Sequence, residues 1–145
     1  MMLNGKKFES GRSMVELVGV LAIMGMITAA AFVLIRSGMA SQKRSVVNDD
    51  IAQIVTGVRT LYADYDNLPA NFDGARTLSA LSINTTAPYA GASYELDRES
   101  GSVFVVKIKD LPENECTVLE TKPWAGAIGE SATCTTTTLT IKYNK

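Results

Sequence analysis

The chain contains no histidine among its 145 residues. Ser-His-Asp and Cys-His catalysis are thereby excluded, as are histidine-ligated zinc, copper and non-haem iron sites. It has only two cysteines, too few for a four-thiolate metal centre. It has no excess of basic charge: Lys plus Arg is 14 against 15 for Asp plus Glu, a formal charge of −1. The electrostatic signature of a dedicated nucleic-acid binder is therefore missing. Nor is the chain poor in apolar residues, at 46% against 20% charged, so disorder does not describe it. A membrane-tethered enzyme would need paired carboxylates, a Ser-Lys dyad or a lone thiol, and no spacing recommends such a set. No enzyme is expected, and no cofactor or metal.

What is present is unevenly placed. Leu17 to Ile35 reads LVGVLAIMGMITAAAFVLI, uncharged, with Thr28 as its single hydroxyl. As a helix it would be roughly 28 Å long, close to the hydrocarbon thickness of a bilayer. Ala29 to Ala31 could imitate a signal-peptidase site, but Phe32 to Ile35 carry the apolar run past them. A retained membrane-spanning helix is the better reading. Lys6, Lys7 and Arg12 before the span balance Arg36, Lys43 and Arg44 after it, so charge does not set the orientation. Cys116 and Cys134 both follow the span. Such a pair reads as one disulfide in an oxidising compartment, with two separate buried thiols as the alternative.

Glu16 breaks the pattern, standing one residue before the apolar run. On insertion scales a carboxylate costs about 3 kcal/mol at the bilayer centre and less at its edge. It can mark the interfacial end of the helix, or favour the positive end of the helix dipole.

A polar leader, MMLNGKKFESG, precedes it. The string GRSMVELVGVLAIMGMITAAAFVLI resembles the N-terminus of the type IV pilins and related prepilins. Glycine, glutamate, basic leader and uninterrupted apolar run occur in the family's order. The resemblance covers residues 6 to about 40, and beyond them extends to architecture only. It implies a leader at 1–11 removed by prepilin peptidase after Gly11, and a new N-terminus at Arg12, N-methylated by the same enzyme. Residues 12–38 would be the transmembrane and filament-core helix, and residues 39–145 the head. Many family members begin with phenylalanine; arginine here points to the type IVb-like side, where the first residue varies, and the resemblance taken as a whole is to a type IVb-like major pilin, with major or minor subunit left open. Glu16 would be the fifth mature residue. Its implied role is to pair with the freed amine of Arg12, on a neighbouring copy or within one helix. A disulfide-bounded C-terminal region is likewise characteristic of these pilins, and Cys116 and Cys134 suit it.

The resemblance further implies a homo-oligomeric helical filament, with prepilin peptidase and the inner-membrane pilus assembly machinery as partners. The precursor would wait in the inner membrane with its head outside the cytoplasm, then move to a cell-surface pilus. Adhesion, aggregation, motility and DNA uptake are the roles such filaments serve. The alternatives are a type II secretion pseudopilin and a minor pilin whose head binds DNA or a receptor. Major pseudopilins tend to carry calcium and no disulfide. Here Asp64 and Asp66 imitate the start of an EF-hand loop, but Ala75 stands where its final Glu is required. For nucleic acid, Arg76, Arg98, Lys107, Lys109, Lys122, Lys142 and Lys145 are scattered.

The fold expected is α+β: a long N-terminal helix against a small antiparallel sheet. Past the span, Val47, Ile51, Ile54, Val58, Leu61 and Tyr65 recur at alternating spacings of four and three. Val55 and Tyr62 widen that single apolar stripe. A helix from Ser13 to Asp66 would be roughly 80 Å long, ending before Asn67-Leu68-Pro69, with Gly38 as a candidate kink. Residues 70–92 read as a surface loop with one short helical turn, in which Asn84-Thr85-Thr86 matches a glycosylation sequon. Ser93–Leu96 and Ser102–Ile108 form a hairpin around Asp97–Gly101. Pro112 opens a short helix to Thr121, and Thr135–Tyr143 is a third, final strand. Asp110, Glu113 and Glu115 read as a solvated face.

Overall fold

The computed structural model describes residues 13–145, and follows residues 6–12 only as helical backbone. The chain divides into two compact units, 1–42 and 43–145. One helix, α1 (Lys6–Leu61), contributes to both. Then follow α2 (Gly74–Ala80), β1 (Ser93–Ser100), β2 (Val103–Lys109), α3 (Glu113–Glu120), β3 (Ala127–Thr135) and β4 (Thr138–Asn144). The leader expected at 1–11, with its cleavage site at Gly11, and the new terminus at Arg12 lie outside the described residues.

In the 43–145 unit the α1 stripe is the organising feature. Val47, Ile51, Ile54 and Val58 are 0 to 2% exposed, and Val55 joins them in the core. The stripe stops short of its expected end. α1 closes at Leu61, which is exposed, and Tyr65 is exposed too. The helical ladder makes one more bond, Tyr62 N–H to Val58 C=O at 3.0 Å. It then tightens into three-residue turns, Ala63 to Thr60 and Tyr65 to Tyr62. Asp64, Asp66 and Asn67 suit such turns. The exit also lets Leu68 turn inward, where it is 2% exposed and bonds Gly101 C=O at 3.1 Å. Gly38 introduces no break in the helix.

The sheet has four antiparallel strands in the order β1-β2-β4-β3, one more than the three expected. The stretch expected as one strand from Thr135 contains a turn, with Thr136 left-handed (φ 58°). β3 was hidden because its apolar residues do not alternate. Its pairing slips between Ala127 and Ala132, around left-handed Gly129 and Glu130. In the first hairpin, β1 runs through Asp97 to Ser100 and the turn moves to Gly101 (φ 54°). Asp97, expected in that turn, instead pairs with Lys107 across the strands.

One sheet face carries Tyr94, Leu96, Phe104, Val106, Ile108, Leu139, Ile141 and Tyr143, all part of the core with the α1 stripe. The other face carries acid-base pairs Glu95–Lys109, Asp97–Lys107 and Glu99–Lys142. Those lysines are thus matched across strands rather than scattered.

Residues 70–92 contain the expected helical turn as α2, capped by Asp73, whose carboxylate accepts from Arg76 N–H at 3.1 Å. The segment is not merely surface loop: Leu78, Ala87, Tyr89 and Ala92 are buried. Small residues at irregular spacing gave no period to read. Gly74 permits this packing, since a Cβ there would sit 1.5 Å from the Leu96 carbonyl oxygen.

Candidate functional site

The first candidate lies within residues 13–42. From Ser13 to Met39 every residue is exposed. Fifteen large apolar side chains from Met14 to Met39 are 51 to 74% exposed, on every side of the helix. Covering them would release on the order of 20 kcal/mol. No soluble surface leaves so much unspent, which marks the segment for lipid or for protein. The segment is long and apolar enough to cross a membrane, with a mean hydropathy of 2.6 over an 18-residue stretch.

Two of its hydroxyls bond back onto the helix. Thr28 Oγ1 donates to the Met24 carbonyl at 2.8 Å, and Ser37 Oγ to the Leu34 carbonyl at 3.1 Å. That is what a medium without water requires. At its polar end Arg36 lies over the Phe32 ring, 5.3 Å from the centroid. Gly19 and Gly25 are not demanded by the chain itself, because a Cβ at either would meet nothing within 4 Å. Each lowers helix stability by about 1 kcal/mol relative to alanine. Glu16 stands exposed at the start of this surface, between Val15 and Leu17. Among the described residues it has no ion-pair partner.

The second candidate lies in the 43–145 unit and had no sequence signal. Arg44 reaches Glu115, 71 positions away, by a two-pronged contact: Nε to Oε2 at 2.9 Å and Nη2 to Oε1 at 3.0 Å. Tyr89 donates its hydroxyl to the same Oε2 at 3.2 Å, and Lys43 lies 5.7 Å from the Tyr89 ring centroid. Glu115 is therefore not on a solvated face; its side chain is only 12% exposed. The Arg44 hydrogen bonds hold its carboxyl below the usual carboxylate range, against the opposing effect of burial. The Tyr89 phenol is pushed up to about 12, by burial first and the Glu115 charge second. Six residues further along α1, Asp50 Oδ2 accepts from the Tyr94 hydroxyl at 2.7 Å, and burial raises that phenol too. These contacts fasten α1 to α3, β1 and the 85–92 segment.

Cys116 and Cys134 are joined in a disulfide, Cα to Cα 5.8 Å, tying α3 to β3. The loop they close is itself anchored. Trp124 is 2% exposed and donates its indole N–H to the Leu119 carbonyl at 3.0 Å, while Glu120 accepts from Cys134 N–H at 3.1 Å.

No family model matches the chain, and no curated protein matches it.

Proposed function

We propose that the chain is a structural subunit of a type IV pilus. It is trimmed after Gly11, methylated at Arg12, held in the inner membrane by its apolar helix, and polymerised through that helix into a surface filament. The observation that carries this reading is the helix surface from Ser13 to Met39, exposed and apolar on every side, with Glu16 at its head. A plain membrane anchor explains the apolar surface and leaves the carboxylate only an interfacial or dipole role. In a filament both are used. Apolar side chains exchange lipid for copies of themselves, and glycines without an intrachain role let neighbouring helices approach closely. Glu16 then meets the amine of Arg12 on an adjacent copy, which fixes the register.

The disulfide favours a pilus over a secretion pseudopilin, and it fits a head that matures outside the cytoplasm. The test is mass spectrometry of material sheared from the cell surface. The expected product is an abundant chain starting at methylated Arg12, with both thiols oxidised. A chain that keeps its first eleven residues, or that is confined to the cytoplasm, would overturn the reading.

A further inference from the structure

We propose that the cleft at the C-terminal end of α1 binds a neutral saccharide, a property separate from polymerisation. The cleft has a volume of about 450 Å³ and includes Tyr62, Tyr65, Asn71, Asp73, Arg76 and Thr77 in its wall. That volume suits two or three sugar rings, within the ordinary range for small-ligand sites.

Its lining combines an aromatic platform with open hydrogen-bonding groups. Tyr62 is fixed: its hydroxyl lies 3.1 Å from Thr77 Oγ1, which donates onward to the Asp73 carbonyl at 2.8 Å. Its ring also packs against Phe72, with centroids 5.5 Å apart. Tyr65 meets the Tyr62 ring edge-on at 5.8 Å and leaves 54% of itself exposed. Among the described residues its hydroxyl has no partner. A ring steadied by one neighbour and more than half exposed is suited to stack on the C–H face of a pyranose.

The polar groups beside it are similarly part-used. One Asp73 carboxylate oxygen caps α2 by accepting from Arg76 N–H, and the other oxygen can accept from sugar hydroxyls. The Arg76 guanidinium and the Asn71 amide have no side-chain partner among the described residues. Together they offer donors and acceptors in the mixed set that vicinal hydroxyls need. Asp73 and Arg76 cancel in charge, so the cleft suits a neutral sugar rather than a strongly acidic one.

The full chain in dodecylphosphocholine micelles, which carry no sugar, would be studied by saturation-transfer difference NMR. The probes are lactose, cellotriose, N,N′-diacetylchitobiose and, as the acidic arm, trigalacturonate. Transfer to at least one neutral probe is expected, with Kd on the order of 1 mM. Tyr65→Ala should weaken it about fivefold, and Tyr65→Phe should retain it. Trp124, which is not part of the cleft wall, reports by its fluorescence that each variant is folded. No transfer to any neutral probe, transfer to trigalacturonate alone, or equal binding by folded Tyr65→Ala would overturn the proposal. Since the micellar chain is not polymerised, none of these outcomes bears on the filament reading.

Discussion

Opening the Cys116–Cys134 bond should cost the head a large share of its stability. The two residues are 18 positions apart in sequence, and freeing a loop of that size in the unfolded chain is worth about 3 kcal/mol. A domain of this size has few such increments to lose. Native contacts partly hold the loop without the bond, through the Trp124 indole, the Glu120 carboxylate and the β3–β4 pairing. Those contacts exist in both redox states, so they do not reduce the difference. Trp124 is the only tryptophan and lies inside the closed loop, buried. Its fluorescence therefore reports urea unfolding at the relevant place. With a slope of about 1.5 kcal/mol per molar urea, the midpoint should fall by about 2 M on reduction. Cys116→Ala/Cys134→Ala should fall slightly further, because Cys116 is fully buried and alanine leaves a small void. A midpoint that moves by less than about 0.3 M on reduction would mean that closing this loop does not constrain the unfolded chain, and the prediction would fail.

Gly74→Ala should destabilise the head by about 3 kcal/mol or more in the same assay, because its Cβ would overlap the Leu96 carbonyl oxygen; a change below about 1 kcal/mol would mean that α2 shifts freely on β1. The Glu115 carboxyl is held down in the folded state, so its contribution is present above the usual glutamate pKa and is lost as pH falls through the depressed folded value. Urea midpoints should therefore drop from pH 6 to pH 3, and Glu115→Gln should flatten the drop by about 1 kcal/mol, a figure discounted for the solvent-exposed Arg44 side. An unchanged acid limb in Glu115→Gln would remove the pair from the account.

The parts of the fold that were legible in the sequence are those where one physical requirement repeats. Val47, Ile51, Ile54 and Val58 announce a buried helix face because each turn must present an apolar group to the same core. The apolar run after Glu16 is legible for the same reason, as every position meets one demand. Tyr65 continues the spacing but not the burial: once the chain leaves the helix to bury Leu68, periodicity no longer governs the ring. β3 was illegible because its edge pairing is interrupted and most of its residues face water. The Arg44–Glu115–Tyr89 contact could not have been found either. Residues 71 apart are brought together by tertiary packing, and charge has no period to betray a distant partner. Leu78, Tyr89 and Ala92 sit among small polar residues, so their burial depends on where β1 and α1 place the segment.

In the proposed filament Glu16 acts in assembly, and substituting that carboxylate alone isolates its part. Glu16→Ala removes a charge next to the apolar run and leaves Leu17–Ile35 untouched, so the chain should still reach and enter the membrane. Leaving an amine unpaired in a filament core costs about 3–5 kcal/mol per copy, enough to abolish or sharply reduce polymerisation. Sheared filament yield, measured beside the membrane-fraction content of the same cells, should fall while the membrane pool is preserved or grows. A normal yield from Glu16→Ala cells would contradict the account.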